Sequence, residues 1–248
     1  MKIIISPTKT MTTQPDHFLP QSQPAFLADT KKILTHLQKL SLEEATKLWK
    51  CSAPLASENY ERIQQMVFNQ NLTPAIVSYK GLQYQYMAPD LFTEPALTYI
   101  QENLRILSGF YGVLRPFDGI VPYRLEMQAP LPVAKSKHLY DFWGNKIYTA
   151  LFADQQPVIN LASKEYSKTL TPYLKENDQL IDIAFMHAID NKLKVKATLA
   201  KMARGEMVRY LAENQVKTLD EIKQFDHPHY RFSKTHSSVN KFVFLHQE

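Results

Sequence analysis

The chain has 248 residues, 44% of them apolar, which is enough to bury a sizeable core, and no run approaches the ~18 uncharged apolar residues that cross a bilayer. The amino-terminal MKIIISPTKT is too short an apolar run for a secretion signal, and the single cysteine, Cys51, excludes a disulfide framework and every multi-cysteine metal site; a cytoplasmic protein is expected. A formal charge of +5 and a pI near 9.0 favour an anionic partner, although 29 basic against 24 acidic residues is a mild excess.

No internal repeat, low-complexity tract or Gly/Ser linker divides the chain, and its 15 prolines are scattered at element boundaries, so one compact domain over residues 1–248 is expected. The β-branched run KIIIS predicts a strand buried on both faces, followed by a loop, SPTKTM. Residues 24–50 carry helical spacing through Phe26, Ile33, Leu34, Leu37 and Leu40, with a second start at Ser41, where Glu44 completes a capping box. Residues 52–68 predict another helix, AIVSY a second strand ending at Lys80-Gly81, and PALTYIQENLRIL a helix running into LSGFYG. A helix near residues 140–153, a strand in PVINLA and a helix N-capped by Ser163 follow. QLIDIAFMHAI and KLKVKATLA flank Asp190-Asn191, a pair that tolerates positive backbone dihedrals, and predict a hairpin. An amphipathic helix over residues 200–213 and a last strand in NKFVFLH complete the chain. Alternation of strand and helix early, with antiparallel pairing late, predicts an α/β fold of α+β character: a mixed sheet flanked by helices.

The stretch LSGFYGVLRPFDGIVPYRLEM holds three of the six glycines and a dense set of charges. Gly109 and Gly112 supply positive φ or let a phosphate oxygen reach backbone N–H groups, which is the logic of a helix-hairpin-helix; the competing reading is a helix C-cap and turn that merely packs, and Pro116 favours the latter by disfavouring helix at Arg115. Arg115, Asp118, Arg124 and Glu126 within twelve residues read either as a structural ion-pair network or as part of a cleft, in which Tyr123, Arg124 and Glu126 serve as donor, anion clamp and base. Ser6 and Lys9 follow the first strand and Lys80-Gly81 the second, where open sheets place ligand loops, but SPTKT lacks every glycine of a P-loop.

Six basic residues and one acidic one occupy residues 191–210. On the helix, Lys201, Arg204 and Arg209 share one arc beside an apolar arc of Ala203, Met207, Tyr210 and Leu211, and Gly205 within it calls for a reason such as the close approach of a backbone or a phosphate. His227, His229 and His236 match no metal-binding spacing, no Ser-His-Asp or Cys-His set can be assigned, and neither a stoichiometric metal nor a cofactor is expected.

Taken together, ISPTKTM, SAPLASENYERI, YKGLQYQYM, LRILSGFYGVLRPFDGIVPYRLEM, LYDFWGNKI, VINLASKEYSK and KMARGEMVRYL resemble the YaaA family of bacterial peroxide-stress proteins, nearly end to end. The resemblance implies a protein that limits damage from unincorporated iron and binds DNA through a positively charged groove with a helix-hairpin-helix-like element. By position, that hairpin corresponds to residues 107–115, including Ser108, Gly109 and Gly112. The groove residues are Lys9, Asn59, Arg62, Lys80, Arg105, Arg115, Arg124, Lys201, Arg204 and Arg209. The expectation is a DNA-binding protein that reads backbone and shape, since phosphate contacts carry no base information. The alternative is an enzyme acting on a nucleotide or nucleic acid in the same cleft, with Tyr123, Arg124, Glu126 and Tyr166 as its candidate residues. An iron-sequestering protein is disfavoured by the lack of cysteine and of clustered carboxylates.

Overall fold

Ile3, Ile4 and Ile5 are fully shielded from solvent, and they form the centre of the sheet around which the rest is laid. A computed structural model of the chain describes residues 1–13, 18–190 and 192–247. The main-sheet strands are β1 (Lys2–Ile5), β2 (Leu104–Ser108), β3 (Gly112–Leu114), β4 (Val158–Leu161), β5 (Leu180–Ile189), β6 (Lys192–Lys194), β7 (Tyr230–Phe232) and β8 (Lys241–His246). Their order is β7-β8-β5-β4-β1-β2-β3, with β6 paired to β5 off this path. The inner strands β8, β5, β4, β1 and β2 run parallel, whereas β3, β6 and β7 pair antiparallel, so the sheet is mixed as the sequence predicts. Register sets Ile3 against Leu104 and Ile159, and Ile5 against Ile106 and Leu161, all of them buried. Parallel strands covered on both faces by helices require such apolar runs.

Local signals behave as physical chemistry dictates. Ser41 caps the helix Leu42–Trp49 in a reciprocal capping box with Glu44. Gly144, at φ +48°, separates the helices Leu139–Trp143 and Lys146–Phe152 where one helix over residues 140–153 is expected. The Asp190-Asn191 turn is half visible: Asp190 has φ +51°, and Asn191 lies outside the described residues.

Two expectations fail because a short apolar run does not declare its own period. AIVSY is a helical turn, Ala75–Ser78, followed by a two-residue ladder that pairs Thr10 with Lys80 and Met11 with Tyr79. PALTYIQENLRIL ends its helix at Asn103, and LRILS becomes β2 beside β1.

That second change corrects the helix-hairpin-helix expectation. Residues 107–115 are the turn of a β-hairpin, β2 to β3, and Ser108, Phe110 and Tyr111 within it have no solvent exposure. A segment sealed under the core presents no N–H groups to DNA. Gly112 does take positive φ, +74°, against the Trp143 ring, but Gly109 does not need it. A Cβ on Gly109 would lie 2.9 Å from both the Leu125 carbonyl oxygen and the Glu126 carbonyl carbon, so its role is to let residues 125–127 cross the hairpin at backbone contact. Trp143 closes the same turn by donating its indole N–H to the Gly109 carbonyl at 3.0 Å.

The helix Ala197–Glu213 packs on β5, on the helix Glu94–Asn103 and most closely on the helix Leu82–Met87. Gly205 is the crossing point, where a Cβ would overlap the Gln83 carbonyl and approach the Met87 nitrogen to 2.9 Å. The close backbone approach expected at Gly205 is therefore that of a neighbouring helix.

Candidate functional site

From β1 the parallel sheet extends to β2 on one side and to β4 on the other, so strand order reverses at the carboxyl ends of β1 and β4. Open sheets leave a crevice at that point. Here the two strand ends are tied together: Ser6 donates its hydroxyl to Ser163 Oγ at 3.3 Å and accepts from the Ser163 N–H at 2.8 Å. Ser163 begins the short helix Lys164–Ser167 without capping it through its side chain, because that hydroxyl is turned to Ser6.

Three further segments close a pocket of about 470 Å³ over this junction. The Thr10–Lys80 ladder brings Lys80, Gly81 and Gln83 to the loop after β1. The Gly109 crossing holds Tyr123, Arg124 and Glu126 along another wall. The Gly205 crossing presses the long helix down, and Lys201 and Arg204 project into the same space.

Lys9, Lys80, Arg124, Lys201 and Arg204 therefore share one pocket, as expected of a groove, and all four residues named for an enzyme, Tyr123, Arg124, Glu126 and Tyr166, line it too. The remaining groove residues are elsewhere. Arg105 donates to the Gln101 and Leu104 carbonyls and sits with Arg115, Lys2, Asp118 and Asp154 toward the amino ends of the strands, at the other end of the sheet. Arg62 is held by Glu58 at 2.6 Å and by Asn59 at 3.0 Å, and Asn59 is buried and donates to the Leu55 carbonyl. Arg209 is paired with Glu213 at 2.8 Å, one turn along its own helix. Ser108, Gly109 and Gly112 are buried in the β-hairpin.

The electrostatics are uneven within the pocket. Lys9 is matched by Glu126 at 2.8 Å. Arg124 and Arg204 make no ion pair among the described residues, and the Nε–H of each is buried without an acceptor, as is the Gln83 amide nitrogen. All three residues line one cavity, with these nitrogens sealed in its wall. Burial lowers the Arg204 pKa from its ordinary value, against the opposing pull of Asp182. A buried charged donor left unmatched costs about 1–3 kcal/mol or more, so these side chains stand ready for an anion.

Glu165 adds an acidic group. Burial raises its carboxyl above the ordinary range, with Glu126 nearby pushing the same way, while the Gln128 N–H at 3.2 Å pulls it down. Tyr123 shares hydrogen bonds with Ser108 at 2.6 Å and Tyr79 at 2.8 Å, and burial pushes its phenol up to about 12. Its partners are hydroxyls with no base among them, so Tyr123 is a neutral hydrogen-bonding group and not an activated nucleophile. Burial likewise holds the Tyr166 phenol well above its usual value.

Gln83 and Glu165 are two lining residues that sequence reasoning did not pick out. Glu165 had a signal, since VINLASKEY places an acid four residues beyond a strand end; Gln83 had none, because nothing in GLQYQYM separates one glutamine from the other. The histidines are occupied individually: His227 bonds Glu206 at 2.8 Å, and His236 bonds Ser233 at 2.7 Å. Among the described residues no three His, Cys, Asp or Glu side chains converge as a metal site would require.

The sequence profile of a family described as peroxide stress protein YaaA matches residues 1–236. A UPF0246 protein of Lactiplantibacillus plantarum is 57% identical over 247 residues, covering 100% of both chains. Similar proteins of the same description occur in Pediococcus pentosaceus, at 54% identity over 100% of this chain and 99% of the relative, and in Agathobacter rectalis, at 45% over 98% of each. No helix among the described residues is long and apolar enough to cross a membrane.

Proposed function

Since the chain belongs to the peroxide stress protein YaaA family, we propose that it acts in the hydrogen peroxide response by binding DNA through phosphates, in the pocket at the carboxyl ends of β1 and β4. The observation that carries this reading is the convergence of Arg124 and Arg204, two guanidinium groups that make no ion pair among the described residues, beside Lys80 and Lys201. Guanidinium forks match phosphate oxygens, and contacts of that kind are indifferent to base identity. Help in limiting damage from unincorporated iron is then exerted at the nucleic acid. The test is a salt series on two unrelated linear duplexes: Arg204→Ala is expected to weaken both alike and to flatten the log–log salt slope by about one unit. An unchanged affinity and slope overturn the reading.

One observation favours a second reading, an enzyme acting on a nucleotide or nucleic acid. Glu165, with its raised pKa, lies beside Glu126 in the pocket that holds the two arginines, and a carboxyl pair whose environments differ is the arrangement of an acid and a base. Incubation of nucleotides and oligonucleotides with the wild-type protein and with Glu165→Gln, followed by product analysis, tests it; a product formed equally by both removes Glu165 from the chemistry.

A further inference from the structure

We infer that the pocket takes one nucleotide bearing a terminal phosphate, and not the flank of a duplex. The inference rests on the reading of Arg124 and Arg204 as phosphate ligands and specifies what carries that phosphate. Three observations lead to it.

The first is size. The cavity is about 470 Å³. That falls in the range of roughly 300–1,000 Å³ that encloses a small molecule, whereas a duplex offers its phosphates along a broad convex backbone, about one charge per 1.7 Å of axis. A strand end or a free nucleotide can enter a space of that size phosphate-first, with Arg124 and Arg204 in its lining.

The second is charge. Among the described lining residues the cationic side chains, Arg124, Lys201 and Arg204 beside the Lys9–Glu126 pair, outnumber the carboxylates, so the lining is net positive. An internal phosphodiester contributes a single negative charge, while a terminal phosphate carries about −1.5 to −2 at neutral pH, the better match.

The third is the chemistry of the rest of the lining. Phosphate alone has no use for the unpartnered Gln83 amide or for the apolar wall of Pro7 and Leu82. An amide reads hydrogen-bonding edges, and an apolar wall accepts a flat base. A nucleoside attached to the phosphate uses both.

The same chemistry is presented by a free mononucleotide and by a phosphorylated strand end, and the experiment separates them. The probes are dAMP, deoxyadenosine, inorganic phosphate, a 5′-phosphorylated single strand, its 5′-hydroxyl counterpart and a closed circular duplex, titrated against the full chain. Expected are binding of dAMP well above that of deoxyadenosine or inorganic phosphate, a clear preference for the phosphorylated strand, and displacement of that strand by dAMP. Tighter binding of dAMP than of the strand assigns the site to free nucleotides; the reverse assigns it to strand ends. Arg204→Gln is expected to weaken dAMP roughly tenfold or more. Should that variant fail to fold, Lys201→Ala alters an exposed side chain and is expected to cost roughly two- to fivefold. If the hydroxyl strand and the closed circle bind as tightly as the phosphorylated strand and dAMP does not compete, the inference is wrong and DNA binding stands. If dAMP binds but no nucleic acid does, the DNA reading fails and this one holds; if nothing binds, both fall.

Discussion

Replacing Gly205 by alanine sets two physical effects against each other, and their sum has a definite sign. In an isolated helix the change stabilises, since glycine costs about 1 kcal/mol relative to alanine. In this protein the added methyl overlaps the Gln83 carbonyl and comes within 2.9 Å of the Met87 nitrogen, both backbone atoms of the helix Leu82–Met87. Backbone cannot rotate aside as a side chain can, so the helices must separate, and overpacking of this kind costs typically about 1–3 kcal/mol. With contact at two points the upper part of that range applies, leaving a net loss of about 1–2 kcal/mol. For a chain of this size each kcal/mol lowers Tm by about 2–4 °C, so a fall of about 2–8 °C is expected by calorimetry. The same shift moves Arg204 and Gln83 out of place, and anion binding is expected to weaken more than Arg209→Ala weakens it. A Tm equal to or above that of the wild-type protein would falsify the crossing argument, because helix propensity alone predicts a rise.

Arg204→Ala and Arg209→Ala share a helical arc but not a fate: the first is expected to flatten the DNA salt slope by about one unit, the second to leave it near the wild-type value because Glu213 already neutralises Arg209. Equal slopes for the two variants would return both to an ordinary charged face. Burial raises the folded-state pKa of Glu165, so stability present at low pH is lost as pH climbs from the ordinary carboxylate value of about 4.3 through the raised one. Glu165→Gln, whose amide oxygen still accepts from the Gln128 N–H, is expected to raise the urea midpoint at pH 7 and leave it unchanged below about pH 4. A midpoint that shifts equally at both values contradicts the burial argument. Gly109→Val is expected to destabilise the whole chain by about 3 kcal/mol or more, since the side chain meets the backbone of residues 125–127; weak DNA binding with an unchanged Tm would point instead to direct phosphate contact.

Much of the fold was legible in the sequence where a residue type has one physical use. KIIIS has no place except inside a sheet, and Ser41 with Glu44 states where a helix begins. LRILS and AIVSY were not legible, because four or five buried apolar residues suit a strand and a helical turn equally, and only pairing with β1 decides the former. Lys9 and Lys80, singled out from their place after strands, line the pocket, although the strand assigned before Lys80 is a helical turn. The basic residues that lie outside the pocket had an available signal. Arg62 has Glu58 four residues before it and Arg209 has Glu213 four residues after it, the spacing at which helical side chains meet. Lys201 and Arg204 have no acid at three or four residues in either direction. These two cations without an intrahelical partner are the ones that line the pocket.

The glycines unite these results. Gly109 and Gly205 are far apart in sequence; each lacks a side chain where two backbones cross, and each crossing lies beside one arginine, Arg124 or Arg204, in a wall of the same pocket. Tight crossings leave those arginines little freedom to swing toward carboxylates elsewhere, which accounts for orphaned donors in a protein otherwise rich in intrahelical ion pairs. The arrangement costs stability in the empty protein, since buried N–H groups lose their water without gaining an acceptor. On the reading proposed above, guanidinium groups already held in place need little further ordering when a phosphate binds. The central Gly-rich stretch thus acts through architecture: its buried turn is the surface against which the Arg124 wall of the pocket is built.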